Sequence, residues 1–317
     1  MCKVIGIDIS KASFDVAFQK EDGDFVHFKF ENNLPGFKKF KKVITGGDHC
    51  VMEASGPYYL FLAQYLFEQG LKVSVVNPLQ IKHFVRMRMV KAKTDKKDAQ
   101  MIALYGQSES PGLWQPHQTP IRQLQQINSA IEGLRKTETM FSNQVEAFLQ
   151  VPDTDQGILK TWRSFLKRTN EEIGKLEKRM AEITKEHYSN TFEAVTSIPG
   201  IGPKTAIMLI AITDNFSKFE TSKKLSAFIG LVPRIYESGT SIKGKGHITK
   251  MGNRHLRKLL YLCAWSAKKH NAQCKEMYAR LSQKGKPERV IKIAIANKLL
   301  RQAFAIGSTL NNYEKKL

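Results

Sequence analysis

The sequence predicts two architectures in series: an α/β front domain on a mixed five-stranded sheet, then a mainly helical remainder. Three observations carry this. The first 120 residues read β-β-β-α-β-α-β-α. From residue 121 the apolar positions fall into heptads. From residue 192 the apolar periodicity is helical and broken by glycine turns. A chain of 317 residues with 42% hydrophobic content can hold two domains of roughly 100–200 residues each, with real cores.

Taken in order, KVIGIDI (3–9) is a short apolar run rich in β-branched residues, and FDVAFQ (14–19) and FVHFKF (25–30) alternate or nearly so. EDGD between the last two is a turn signal, so the three form a meander. LPGFKKFKKVI reads as a short amphipathic helix and CVMEAS (50–55) as a buried strand. PYYLFLAQYLFEQG is a helix with Pro57 near its start and Gly70 at its end. KVSVVNP (72–78) is a further strand, followed by helices over LQIKHFVRMRM and DKKDAQMIALYG. This order is the one found in ribonuclease-H-like folds, an analogy of topology alone.

Ile121, Leu124, Ile127, Ile131, Leu134, Phe141, Val145 and Phe148 trace a heptad seam, with Glu138 in one seam position. VPDTDQG (151–157) breaks it, and Ile158, Trp162, Phe165, Ile173, Leu176, Met180 and Ile183 trace a second. Two helices joined by a short Pro/Asp turn predict an antiparallel hairpin. It serves either as a protruding arm for dimer contact or as core of the next domain. The predicted divisions are 1–120, 121–190 and 191–317. In the last, SIPGIGPKTA places a tight Pro-Gly-x-Gly turn between apolar helices and is similar to a helix-hairpin-helix element. A plain packing corner has the same signal.

Charge narrows the partner. Lys and Arg number 50 against 29 Asp and Glu, a formal net charge of +21. Such an excess attracts polyanions, with nucleic acid first. No run of 18 or more apolar residues is present to span a membrane. The N-terminus MCKVIGIDIS has no charged-then-apolar leader design. Cys2, Cys50, Cys263 and Cys274 form no CxxC pair, and are expected to be reduced, non-functional thiols of a cytoplasmic protein. Two acid-free gaps stand out. One, from Glu68 to Asp95, carries Lys82, Arg86, Arg88, Lys91 and Lys93. The other, from Glu237 to Glu276, carries Lys243, Lys245, Lys250, Arg254, Arg257 and Lys258. One-signed gaps argue for phosphate contact. Lys93, Lys204, Lys243, Lys245, Lys250, Arg254 and Arg257 are the candidate nucleic-acid contacts.

Four acids stand where carboxylates are costly or paired. Asp8 lies in the first apolar strand, Glu53 ends the next buried strand, and Asp95 and Asp98 are three apart at a helix start. With the first strand central and the Glu53 strand beside it, all four converge, and a divalent cation is the remedy for their repulsion. Oxygen donors of this kind suit Mg²⁺ or Mn²⁺. Each acid alone also has a structural reading, as a turn, cap or helix N-terminal acid. Asp15 is expected to alternate outward and be solvated. Hydroxyls at Tyr236, Ser238, Thr240 and Ser241 sit on an apparent loop next to the basic run, and one beside Gly239 could act as a covalent nucleophile on a phosphodiester. Residue chemistry alone does not separate Ser238 from Tyr236, nor either from polar filler.

Six blocks in order carry a family resemblance: IGIDISK, VMEASGPY, VNPLQIKHF, KTDKKDAQMIA, SIPGIGPKTA, and AFIGLVPRIYESGTSIKGKGHITKMGNRHLRKLLY. Together they span nearly the whole chain. The chain resembles the DEDD transposases of bacterial insertion sequences, the bridge-RNA-guided serine recombinases with a RuvC-like domain. The resemblance implies an RNase-H-like (RuvC-like) domain, a helical coiled-coil arm and a mainly α transposase domain with a helix-hairpin-helix. It implies that Asp8, Glu53, Asp95 and Asp98 bind Mg²⁺ and that Ser238 forms a phosphoserine link to DNA. It further implies donor and target DNA, a non-coding bridge RNA, and a homo-oligomer, dimeric and then tetrameric in the synaptic complex. In that complex the carboxylates of one subunit meet the serine of another. A nucleoid-associated bacterial protein of the cytoplasm is expected. The competing readings are a metal-dependent hydrolytic nuclease or Holliday-junction resolvase, which uses water with the same acids, and a non-catalytic architectural protein, against which the acidic cluster argues.

Overall fold

A computed structural model describes residues 3–90, 94–234, 237–238, 242–243 and 247–313, the pairs 237–238 and 242–243 by backbone alone. The chain forms two compact units, Met1–Pro116 and His117–Leu317.

The first unit follows the predicted order. Strands β1 (Val4–Ile9), β2 (Ser13–Gln19) and β3 (Phe25–Glu31) form the meander. Then come α1 (Leu34–Lys41), β4 (His49–Glu53), α2 (Tyr59–Glu68), β5 (Lys72–Val76), α3 (Pro78–Met87) and α4 (Asp95–Glu109). The sheet order is β3-β2-β1-β4-β5, with β1 central, antiparallel to β2 and parallel to β4. Ile5, Ile7, Phe14 and Val16 bury one face against Phe37, Phe40, Leu62 and Leu66 of α1 and α2. The other face meets α3 and α4 through Val51, Val76, Ile81, Phe84 and Ile102.

One contact sets the position of α4. A Cβ on Gly6 would lie 2.1 Å from the Ala99 carbonyl oxygen and 2.3 Å from the Ala103 nitrogen. A Cβ on Gly106 would lie 2.6 Å from Val4 and 2.7 Å from Val51 side-chain carbons. The small face of α4 therefore rests directly on β1 and β4, running back along β1 so that its first turn ends near Asp8.

The second unit begins with α5 (Thr119–Phe148) and α6 (Gln156–Thr196), which pack against each other as an antiparallel hairpin. The seams meet as their spacing requires. Ile131, Ile173, Met180 and Ile183 join the same core as the C-terminal helices, so the base of the hairpin is core. Toward the turn, Phe141 stacks on Trp162 and Phe165, centroids 5.0 and 5.4 Å apart. Glu138 takes its seam position by pairing with Arg135 at 2.9 Å. Non-helical Tyr188 (φ −138°, ψ 29°) kinks α6 into two helical stretches close to the expected boundary at 190.

Helices α7 (Pro203–Thr213) and α8 (Ser222–Ile229) follow. The segment expected as a loop is instead two short ribbons. β6 (Pro233–Arg234) pairs with β9 (His247–Ile248), and β7 (Glu237–Ser238) with β8 (Ile242–Lys243). Helices α9 (Arg254–His270), α10 (Ala272–Gln283) and α11 (Glu288–Thr309) close the unit. Among the described residues no helix is long and apolar enough to cross a membrane. Buried Cys50 and Cys274 have their thiols pushed up to about 12 and about 11 by burial, which makes them poor nucleophiles. Cys2 lies outside the described residues.

Gly6→Ala is expected to cost about 3 kcal/mol, because rigid backbone meets the new methyl. Amide hydrogen exchange should locate the loss in β1 and α4. Gly133→Ala on α5, where an added Cβ meets open space, should gain up to about 1 kcal/mol from helix propensity. Equal effects at the two sites would refute the close-approach account.

Candidate functional site

Asp8 and Glu53 sit at the C-terminal ends of the adjacent parallel strands β1 and β4, one step beyond the Ile7–Met52 register pair. They share the sheet face that carries Gly6 and Val51, the face covered by α4. Thr94 caps α4 by accepting from the Lys97 backbone N–H at 3.2 Å. This sets Asp95 and Asp98 in the first turn of α4, where the helix dipole favours acids. The direct seating of α4 on Gly6 then delivers that turn to the Asp8 end of β1.

The electrostatics follow from this placement. The Asp8 carboxyl is pushed up to about 6, first by burial and then by Asp98, Asp95, Glu53 and Asp15. Among the described residues none of Asp8, Glu53 and Asp95 is ion-paired to Lys, Arg or His. Glu53 accepts from the Ser55 hydroxyl at 2.6 Å. The four acids form a charge cluster rather than a closed cage: among the described residues no three His, Cys, Asp or Glu side chains stand at metal-gripping spacing.

Asp15 departs from expectation. It is only 5% exposed. It lies directly across from Asp8 in the β1–β2 ladder. On its other side His27 Nε2 is 2.7 Å and Lys29 Nζ 3.5 Å from its carboxylate. The alternation was legible, but the face it selects is the one α4 covers. His27 and Lys29, two apart on β3, were the signal that a buried acid needed partners.

In the second unit the ribbon of β7 and β8 carries Ser238, paired in register with Ile242, and places Lys243 opposite Glu237. Tyr236, Gly239, Thr240, Ser241, Lys245 and, in the first unit, Lys91 and Lys93 lie outside the described residues. The ribbon of β6 and β9, which brackets the β7–β8 ribbon in sequence, is fixed at its base by two interlocked turns. A Cβ on Gly230 would lie 2.0 Å from the Met251 carbonyl oxygen, and one on Gly252 1.9 Å from that of Phe228. Both glycines have positive φ, +78° and +107°.

Beside this base is a pocket of about 500 Å³ lined by Lys250, Arg254, Arg257, Lys258, Tyr261 and Arg289. Arg257 donates to the Ile229 carbonyl at 2.6 Å, and its pKa is lowered by burial and by Arg254. No acid occupies the first turn of α9. Cations crowded at a helix N-terminus repel its dipole, and a bound anion relieves both strains. Arg289 comes from α11 and was invisible to any local pattern. Among the candidate contacts whose side chains are described, Lys204 alone is ion-paired: its ammonium is 2.8 Å from Glu177 of α6, so a phosphate there must compete with a carboxylate.

The raised Asp8 carboxyl has a stability consequence. Below pH 4 Asp8 is protonated whether folded or unfolded and costs nothing. As pH rises from about 4 to about 6 the unfolded chain ionises first, and stability falls. In chelator-treated protein at pH 7, Asp8→Asn should therefore be more stable by about 1–2 kcal/mol, allowing for solvent screening. It should also flatten the pH 4–6 slope in thermal melts. A less stable Asp8→Asn protein at pH 7 would contradict the cluster.

Comparison with known proteins agrees with both units. Residues 5–151 match the DEDD transposase family of IS110 type, described simply as transposase. Residues 192–279 match the family described as "Transposase IS116/IS110/IS902 family". The chain is 30% identical to the pilin gene-inverting protein of Moraxella bovis over 99% of its own length and 98% of that protein's. It is 26% identical to the transposase for insertion sequence element IS1111A of Coxiella burnetii, over 81% of this chain and 76% of that one. It is 25% identical to the transposase for insertion sequence element IS1328 of Yersinia enterocolitica, over 96% of each. Two family matches along the chain, and relatives at this identity over nearly its whole length, show that the chain belongs to the IS110 family of transposases, enzymes that act on DNA.

Proposed function

We propose that the chain cuts and rejoins DNA through a phosphoserine intermediate, with Ser238 as the nucleophile and Asp8, Glu53, Asp95 and Asp98 as the metal-holding acids. The observation that carries the reading is the gathering of Asp8 and Glu53, at the ends of adjacent parallel strands, under the first turn of α4 that holds Asp95 and Asp98. Hard carboxylate oxygen donors fit Mg²⁺ or Mn²⁺. When bound, such an ion would neutralise the phosphate and stabilise the leaving oxygen.

In the proposed cycle the Ser238 hydroxyl loses its proton and bonds to phosphorus in line. The bond to the 3′-oxygen breaks, and that oxygen takes up a proton to become a free 3′-hydroxyl. A 3′-hydroxyl on another strand then attacks the phosphoserine and returns Ser238 to its starting form. Lys243, Lys245, Lys250, Arg254 and Arg257 hold flanking phosphates without reading bases, with Lys93 and Lys204 as outlying contacts. The turn SIPGIGPKTA acts as a helix-hairpin-helix grip on the backbone. Sequence choice falls to a non-coding bridge RNA pairing with donor and target DNA.

In this reading residues 1–120 carry the acids, 121–190 a coiled-coil arm for subunit contact, and 191–317 the serine. The exposed apolar side chains near the hairpin turn, Met140, Leu149, Val151 and Phe165, favour the arm. Subunits pair and then form a tetramer, the acids of one meeting the serine of another. The second reading, a hydrolytic nuclease or junction resolvase, shares the acid cluster and uses water.

Denaturing gels of protein incubated with Mg²⁺ and cognate nucleic acids should show a covalent protein–DNA adduct. Ser238→Ala should lower it by at least 10³-fold, on the order of other lost nucleophiles. An adduct that persists in Ser238→Ala and disappears in Tyr236→Phe moves the role to the tyrosine. Normal strand cleavage by Ser238→Ala supports the hydrolytic reading instead. A discrete structured RNA copurifying with the protein is expected. Its absence from cleavage-competent protein would remove the guide.

A further inference from the structure

A second cationic groove lies away from the serine ribbon. It runs between α10 and α11, encloses about 740 Å³, and is lined by Arg280, Lys298 and Arg301 together with Gln273, Asn297 and a single acid, Glu276. Lys298 and Arg301 are three apart on α11 and share its face. Arg280 faces them from α10.

Three observations set this groove apart. First, its cations are unspent. Elsewhere in the unit Arg135, Lys175, Lys204, Lys224, Lys268 and Lys292 each meet a carboxylate within 3.5 Å. Among the described residues no carboxylate stands in ion-pair range of Arg280, Lys298 or Arg301. Second, the floor is rigid. The Asn297 side-chain oxygen accepts from Ser226 at 2.9 Å, and Gln302 bridges Gln273 and Asn271 at 3.1 Å each. Polar groups so fixed hold a groove open and present amides beside the cations. Third, it is a separate surface. Arg289, Ile293 and Ala296 of α11 line the pocket beside the ribbon, while Asn297, Lys298 and Arg301 lie roughly 120° around the helix at 3.6 residues per turn. One short backbone segment cannot occupy both.

We propose that the α10–α11 groove is a second phosphodiester-binding channel, taking a nucleic-acid segment distinct from the one at the serine ribbon. Three cations with no carboxylate in ion-pair range among the described residues, flanked by amide donors, suit consecutive backbone phosphates and offer no shape for a base-specific contact. The inference rests on the chain acting on nucleic acid and not on the serine chemistry. DNA and RNA present the same phosphodiester, so the test carries both.

The test uses the full chain with Ser238→Ala, so that binding is read without covalent chemistry. Affinity for a 20-base-pair DNA duplex, a single-stranded DNA and a hairpin RNA is measured across a salt series, with and without Arg280→Gln/Lys298→Gln/Arg301→Gln. For the nucleic acid that uses the groove, the slope of log affinity against log salt should fall by about two to three, one per lost phosphate contact. The probe whose slope falls identifies the segment. The single Arg301→Gln, at an exposed position, should lower it by about one if the triple variant melts early. Unchanged slopes for all three probes, with Arg254→Gln lowering them, would overturn the proposal. A missing covalent adduct in the wild type would overturn the serine reading and leave this result standing.

Discussion

The close seating of α4 on the central strand is the contact on which the candidate chemistry depends. Gly6 has no room for a Cβ against the Ala99 and Ala103 backbone. That intimacy, continued by Gly106 against Val4 and Val51, fixes the helix in height and direction. Acids from three distant stretches of sequence then share one end of the sheet. The arrangement costs stability, since Asp8 is buried among like charges. Functional sites commonly hold this kind of strain, because the ligand that relieves it is the ligand they bind.

The second unit solves a different problem. A short ribbon of two-residue strands has little stability of its own. Its base is held by backbone-to-backbone contact at Gly230 and Gly252, and by Arg257 donating to the end of α8. The cations nearby are arranged on α9 and α11, elements with a buried apolar face, and not on the ribbon alone. Anion-binding side chains on rigid helices keep their positions as substrate arrives.

Much of the first unit was legible in the sequence because its signals are local. Period-two runs, the EDGD turn, Pro57 and Gly70 each act within a few residues, and the sheet arrangement came from the likeness of the element order to ribonuclease-H-like folds. Asp15 was misread because alternation gives two faces without saying which one a helix covers. The serine segment was misread as loop because two-residue strands have no period to detect. Arg289 and the α10–α11 groove depend on helix packing between distant segments, which no spacing in one stretch reveals. The hairpin was legible as two seams. That its base joins the core of the C-terminal helices was not, since both halves carry the same heptad pattern.

The partners of Asp15 tie an outlying strand to the acid cluster. His27 and Lys29 belong to β3, at the rim of the sheet, and supply none of the candidate ligands. By compensating Asp15 they spare Asp8 part of a fourth neighbouring like charge. The rim strand thus works as a counterweight, and its tolerance to amino-acid change is narrower than its surface position suggests. Drift at residue 27 or 29 would register as an altered charge balance around Asp8 two strands inward, with all four acids of the cluster still in place.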